Sequence, residues 1–400
     1  LARRRPATLV GLDLGTSKTA VVIAQVNNGP PRVIGIGESL TAGLQKGSIT
    51  DIKSAAASIR QALDKSEEMA GVRATSAYVG FNAACISIRD CRVTFERNHN
   101  GSGGWPGSAA VSGVPEGEQL LTVIPPRNIL KISKSGGVAE TRAVFSKSHA
   151  IEGIIESARL AGLTVHEVIY SPLAAAEALL DPVEREFGAL LVDIGAATTT
   201  VSIFDRELIR DTAVLAIGGE HLAGDLAVGL RISMNRAGEV LKQYKAIGEG
   251  YFEIKDIDKE ESRKVPNAFI RSIIDARVKE ILDLIAEVVE DFDYPGQLPG
   301  GAVLSGGVAR LDGLASLAGK RLGLAVRIGT PQNVGQGLGP HYANAFGLVK
   351  YGYARACRKD ESSGSIRRPK VSLMGQVINW FQDKLKDDRQ NIFTIGHLYR

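Results

Sequence analysis

Two stretches of this chain, roughly 180 residues apart, are written to one plan, and few folds accommodate both. Residues 190–204 read LLVDIGAATTTVSIF: two apolar, β-prone runs flank a turn of small and hydroxyl residues, with Asp193 near the end of the first run. That pattern predicts a hairpin. Residues 8–23, TLVGLDLGTSKTAVVI, repeat it with Asp13, Gly15 and the hydroxyls of Thr16, Ser17 and Thr19. Small residues let a backbone approach an anion closely, and Thr198, Thr199 and Thr200 add hydroxyl donors. A single Asp-x-Gly turn is most often only a turn. The pair, with acid, glycine and hydroxyls in the same order, points to one nucleotide gripped from both sides. Residues 302–309 (AVLSGGVA) add a strand running into Gly306 and Gly307.

With 400 residues, 44% of them hydrophobic, the chain can bury more than one core, and two or more domains are expected. A net charge of +4 and 6% aromatics argue against a nucleic-acid partner. Cys85, Cys91 and Cys357 are odd in number and form no CxxC pair, so neither a disulfide framework nor a zinc site is expected, and a reducing cytoplasm fits. Pro6 and Asp13 interrupt the start of the chain before it can read as a secretory signal. No run approaches the roughly 18 apolar residues of a spanning helix.

Between the hairpins, residues 33–39 read as a strand, and the loop GLQKGSITD ends in helix-start chemistry. Ile52, Ala56, Ile59, Ala62 and Leu63 then recur at helical spacing. Strands are predicted over 77–81 and 85–95, a flexible Gly/Ser/Pro loop over 98–117, and strands again over 120–124 and around 142–145. Residues 148–160 are helical and 164–169 form a strand. The short Ala-rich helix 171–180 carries one charge, Glu177, either solvated or positioning water. Gly218 and Gly219 open a helix, offering bare amides to a nucleotide or making only a tight turn. In the helix 235–244, Glu239 and Lys242 form an exposed ion pair or read a ribose. Residues 267–292 carry the aliphatic stripe of one long helix or two shorter ones. Residues 343–351 mirror the Ala-rich helix.

Residues 357–370 (CRKDESSGSIRRPK) have the composition of a linker. In the segment that follows, Leu373, Met374, Val377, Ile378, Trp380, Phe381 and Leu385 fall within an arc of about 160° at 100° per residue. Five Lys or Arg against one acid flank this face between residues 367 and 386. An apolar face with aromatics and a basic flank suits a helix lying on anionic membrane lipids; docking on the protein's own body or on a partner is the alternative.

The paired hairpins and the strand before Gly306 resemble the actin, sugar-kinase and heat-shock-chaperone ATPases. With GLQKGSITD, AGLTVHEVIYSPLAAAEALL, IGGEHLAGDLAVGLR, AVLSGGVARLDGL and the terminal amphipathic segment, nearly the whole chain resembles the FtsA family of bacterial cell-division proteins. The resemblance implies an α/β, actin-like, two-lobed ATPase fold. Residues 1–84 and 166–189 would form the first lobe and 85–165 an inserted FtsA-type subdomain, shortened because the 98–117 loop stands where the family has a helix. Residues 190–356 would form the second lobe, with an FtsZ-tail-binding helical subdomain over about 236–293, centred on 271–279. A linker (357–371), a membrane helix (372–388) and a tail (389–400) would follow.

For the site, the resemblance places ATP with Mg between the lobes. Gly11, Asp13, Gly15, Thr16, Ser17 and Lys18 correspond to the first phosphate motif, and Asp193, Gly195, Thr198 and Thr199 to the second. Asp13 and Asp193 would hold the magnesium through water, and Glu177 would orient the attacking water, with Asp193 as its catalytic companion. Gly218, Gly219, Glu239, Lys242, Gly306 and Gly307 would contact the nucleoside. The family's second motif usually reads DIGGGTTD; here it is DIGAATTT, so Ala196 and Ala197 disfavour positive φ and Thr200 removes an acid. The implied function is an actin-like scaffold with at most weak ATPase activity. It polymerises and anchors the FtsZ tail at the cytoplasmic face of the inner membrane, and recruits later divisome proteins. A scaffold of another membrane machine, such as the PilM component of type IV pili, and a small-molecule kinase of the same superfamily are the alternatives.

Overall fold

Each hairpin opens a sheet, and the two sheets share one wiring. The computed structural model describes residues 7–27, 29–96, 109–112, 114–132, 136–243, 249–255, 262–294, 296–331 and 339–361. In the first lobe β1 (Ala7–Leu14), β2 (Lys18–Val26) and β3 (Arg32–Leu40) run antiparallel, and the two-residue strands β4 (Leu44–Gln45) and β5 (Ser48–Ile49) lead to α1 (Ile52–Ala70). Asp51 caps that helix by accepting from the Lys53 amide at 3.0 Å, and Gly71 ends it in the left-handed conformation. β6 (Ser76–Phe81) returns parallel to β1.

The chain then leaves for a separate sheet of β7 (Ser87–Glu96), β8 (Ala109–Ser112), β9 (Glu118–Ile132) and β10 (Gly136–Lys147), in the order β8-β7-β10-β9. Helix α2 (Ser148–Leu160) brings it back, and β11 (Thr164–Tyr170) pairs parallel with β6. Helices α3 (Ser171–Leu179) and α4 (Pro182–Phe187) follow.

The second lobe repeats the scheme. β12 (Ala189–Ile194), β13 (Thr199–Asp205) and β14 (Leu208–Leu215) are antiparallel. An excursion follows through α5 (Gly219–Leu230), α6 (Met234–Lys242), the hairpin β15 (Tyr251–Lys255) and β16 (Ser262–Pro266), and α7 (Asn267–Asp291). β17 (Ala302–Ser305) is then parallel to β12, and after α8 (Leu314–Leu322), β18 (Val326–Ile328) is parallel to β17; α9 (Ala343–Glu361) is the last described element. The orders β3-β2-β1-β6-β11 and β14-β13-β12-β17-β18 are one topology used twice.

Among the described residues, three large apolar cores follow from this duplication. One lies between the first sheet and α1 and α2, where Leu12, Val21, Ile59, Leu63, Ile151 and Ile154 are buried. A second fills the far side of the second sheet beneath α5 and α7, with Val192, Leu226, Ile274 and Ile285. The third joins the lobes: Val22 of the first sheet and Leu191 and Val303 of the second close around Ala175 and Ala176 of α3 and Ala345 and Phe346 of α9. The small sheet leans on this third core through Ile124 and Val144, and Arg142 of β10 pairs with the buried Asp211 of β14.

Several local expectations change. Within the stretch read as a Gly/Ser loop, Ala109–Ser112 pairs with β7, because a sheet edge recruits even a short AAVS run. The strands read over 120–124 and 142–145 are the middles of the longer β9 and β10, stabilised by each other along the ladder. The 267–292 stripe is one helix. α9 continues through Cys357 to Glu361, so the charged segment read as linker begins inside a helix. The buried face of α2 belongs to the first-lobe core, so packing ends the excursion at the β10–α2 junction. Trp105, the 372–388 segment and the tail lie outside the described residues.

The lobes meet most closely where α3 crosses α9. A side chain at Gly347 would begin 1.8 Å from the Ala174 carbonyl oxygen, so only hydrogen fits. Gly347→Ala is therefore expected to cost at least about 2 kcal/mol through forced separation of the helices. Gly238, inside α6 with open space around it, serves as the control. Gly238→Ala should stabilise by about 0.5–1 kcal/mol. Denaturant midpoints of the two variants, moving in opposite directions, check the assignment.

Candidate functional site

The two hairpin turns close identically. The Gly15 amide donates to the Lys18 carbonyl at 3.0 Å, and the Gly195 amide to the Thr198 carbonyl at 2.9 Å. Their registers match as well: Asp13 lies opposite Ala20 and beside Gly80, while Asp193 lies opposite Thr200 and beside Ser305. Both acids thus occupy the same place in their lobes, at the carboxyl end of the first strand. Helix α9 brings them together. Asn344, in its first turn, donates from Nδ2 to Asp193 at 3.1 Å and also hydrogen-bonds Asp13.

Two acids recessed in one place repel. The Asp13 carboxyl is pushed up to about 7, first by burial and then by Asp193, with Lys18 and Asn344 pulling the other way. Burial raises Asp193 too, against the pull of Asn344. Hard oxygen donors short of positive charge suit magnesium, which takes one or two carboxylates and keeps waters and phosphate oxygens around it. Among the described residues no group of three or more His, Cys, Asp or Glu could hold a metal by itself, so the donor set fits that open kind of site and not a closed cage.

Residues 190–347 match the family model of cell division protein FtsA. Over 378 residues the chain is 31% identical to cell division protein FtsA of Bacillus subtilis (strain 168), covering 89% of this chain and 84% of that one. The chain belongs to the FtsA family. Identity to FtsA of Pseudomonas aeruginosa is 29%, over 94% of this chain and 97% of the relative. Solved structures confirm the fold. A PilM-PilN type IV pilus biogenesis complex superposes with a TM-score of 0.65 at 18% identity, covering 86% of this chain and 98% of that one. MreB5 of Spiroplasma citri bound to ADP gives 0.53 at 17% identity, covering 89% and 99%. The protein is an actin-like cell-division protein.

Within this FtsA chain the residues expected at the site divide into several groups. Gly306 adopts φ +88° against the second turn, where a side chain would begin 2.5 Å from Asp193 Oδ1, and Gly307 is exposed beside it. Thr16 is half-buried and Ser17 exposed at the first turn. Gly11 lies beneath α9, its would-be side chain 2.0 Å from the Ala345 carbonyl oxygen, so it serves helix packing. Thr199 is buried and donates to the Ile217 carbonyl at 2.8 Å; Thr198 is buried next to it.

The amides expected to be bare at the start of α5 are engaged. Those of Gly219 and Glu220 donate to the Gly195 and Ala196 carbonyls at 2.9 and 2.8 Å, and that of Gly218 to His221 Nδ1 at 3.2 Å. They fasten α5 to the second turn. Neither Ala196 nor Ala197 has positive φ, so alanine costs the turn nothing there. Thr200 accepts from Asn82 Nδ2 at 2.6 Å, a bond across the cleft that the sequence did not signal.

Glu177 is paired elsewhere: Oε1 lies 3.2 Å from Arg185 of α4, while its carbonyl accepts from Lys350 of α9 at 2.5 Å. The α3 residue that faces the acids is Ser171. Its Oγ and Asp13 Oδ1 lie 3.1 and 3.5 Å from the same point above Gly80. The signal for it was the Ser-Pro pair opening the helix directly after β11. Glu239 pairs with Arg236 one turn back at 2.5 Å, and Lys242 is exposed, so the Glu239–Lys242 pair does not form.

His341, in the turn before α9, is pushed down to about 4 by burial and by Lys18 and Arg310, against the opposing pull of Glu38. An ordinary histidine titrates near 6.5, so between these values the folded chain binds fewer protons than the unfolded one. Stability is therefore expected to be fully present above pH 6.5 and to fall as pH drops toward 4. His341→Gln should flatten that slope in denaturant midpoints measured across the window.

Proposed function

We propose that this FtsA protein binds Mg–ATP between its lobes, polymerises at the cytoplasmic face of the membrane at the division site, and anchors FtsZ filaments there while recruiting later divisome proteins. The observation that carries the nucleotide half is the convergence of Asp13 and Asp193, from duplicated hairpins, on one asparagine. When bound, magnesium supplies the positive charge that the two carboxylates and a polyphosphate lack. Asp13 and Asp193 would hold the ion through water, Asn344 fixes both carboxyls, and the turns at Gly15 and Gly195, with Thr16 and Ser17 at the first, would face the phosphates. Glu177 is committed to Arg185, and Thr200, where the family usually has an acid, is committed to Asn82. Both facts support slow turnover at most.

The membrane half rests on the sequence pattern of residues 372–388 and on family membership. Among the described residues no helix is long and apolar enough to cross a membrane. An interfacial helix needs no such span. The FtsZ tail would meet the α6–α7 region, including residues 271–279.

Co-sedimentation with anionic liposomes, ATP and FtsZ tests this reading. Wild type should pellet and bring FtsZ with it, and a Trp380→Glu, Phe381→Glu variant should do neither. Pelleting without FtsZ would reassign the scaffold to another membrane machine, and no pelleting would end the membrane reading. For the cleft, Asp13→Asn is expected to move two quantities in opposite directions. It removes half of a buried like-charge pair, so the nucleotide-free protein should melt higher at pH 8. It also removes a carboxylate from the magnesium shell, so Mg–ATP affinity measured by calorimetry should fall at least about tenfold.

A further inference from the structure

Lys18 is the cation of the first phosphate hairpin, yet its ammonium is held by groups that the ATP reading does not use. It donates to the His341 carbonyl at 3.2 Å, lies 3.4 Å from Glu38 Oε2 on β3, and sits 3.9 Å from the centre of the Tyr342 ring. The Tyr342 hydroxyl closes the figure by donating to Glu38 Oε2 at 2.6 Å. Lys18 and Glu38 belong to the first sheet. His341 and Tyr342 belong to the turn that enters α9, and Ser305 of the second sheet ties that turn down by donating to the Pro340 carbonyl at 3.2 Å.

We propose that Lys18, Glu38 and Tyr342 form a clasp between the lobes at the rim of the nucleotide cleft, and that Glu38 and Tyr342 are positioning residues for Lys18 that set how long a bound nucleotide stays. Three features carry this. The contacts join residues more than 300 apart in the chain, from both lobes, at one spot. The bonds of Lys18 to His341 and Glu38 and of Tyr342 to Glu38 are polar and at least partly exposed, so opening exchanges them for water at little cost, unlike the apolar core beneath α3 and α9. Lys18 also closes the first hairpin turn, its carbonyl accepting from the Gly15 amide at 3.0 Å, so one residue serves both the rim and the turn. Opening the clasp frees the lysine and unseals the rim in the same motion.

The inference rests on the ATP reading, and two measurements on the full chain separate them. The first is release of a fluorescent ATP analogue with magnesium, followed by stopped flow. Tyr342→Phe keeps the ring over Lys18 and removes only the hydrogen bond to Glu38, so release should quicken about five- to tenfold. Glu38→Ala should quicken it at least as much, and adding Tyr342→Phe to Glu38→Ala should change nothing further, because the bond is already gone. Additive effects, or unchanged release from a wild type that binds, would overturn the clasp. The second is hydrogen exchange of the nucleotide-free protein, where Tyr342→Phe should speed exchange in β3 and the start of α9. If wild type binds no nucleotide, the ATP reading fails, and this measurement alone decides: unchanged exchange there would sink the clasp.

Discussion

The crossing of α3 and α9 is the contact on which the rest of the molecule depends. Each helix follows the last strand of its sheet, α9 lies across β1, β2 and β6 of the first sheet, and both helices are made of small residues where they touch. Ala174 and Gly347 let the two backbones meet. Because the two sheets share one topology, fixing these two helices fixes the relation of everything attached to them. The first strand of each lobe ends near Asn344, where Asp13 and Asp193 come together. A bulkier pair at the crossing would leave both lobes intact and still separate Asp13 from Asp193. The site is therefore a property of the helix contact as much as of the hairpins.

That geometry leaves the site short of positive charge. Around β1, β12 and α9 two carboxylates share one amide donor, and burial pushes the Asp13 carboxyl up to about 7. Burial without compensation is normally avoided in folded proteins, and its presence at a duplicated position is the feature on which the proposed nucleotide site rests. The surrounding groups are committed by contrast. Thr199 is bonded to the Ile217 carbonyl, the first amides of α5 to the second turn, and Thr200 to Asn82. These bonds stiffen the frame, so the cleft meets a ligand with its floor already ordered.

Much of this was legible in the sequence because it was written twice. LDLGTSKT and VDIGAATT announced the hairpins, and residues 343–351 announced a second small-residue helix mirroring the Ala-rich first. What escaped reading depended on partners distant in the chain. β8 is four residues of weak propensity that exist as a strand only because β7 offers an edge. Glu177 looked functional as the one charge on an apolar helix, but the sequence could not show that Arg185, beyond a turn, curls back to take it. Ser171 was marked only by the Ser-Pro pair that opens α3, and its Oγ lies near Asp13 above Gly80. The β15–β16 hairpin and α4 lacked a strong period and were passed over.

A two-lobed protein joined in this way has two kinds of connection between its halves, and they differ in how they resist motion. At the base, Leu191, Val303, Ala345 and Phe346 are buried in a shared apolar core, which is close-packed and yields only as a unit. At the rim, the connections are the polar contacts of the group around Lys18, which water can replace. Separating the rim while keeping the base is the low-energy distortion of such an arrangement, a hinge about the helix crossing. On the proposed Mg–ATP reading, a ligand that supplies charge between the two acids would favour a closed form by drawing them together. The unsatisfied charge at the floor and the breakable bonds at the rim are thus two ends of one equilibrium, with the α3–α9 contact as its fixed point.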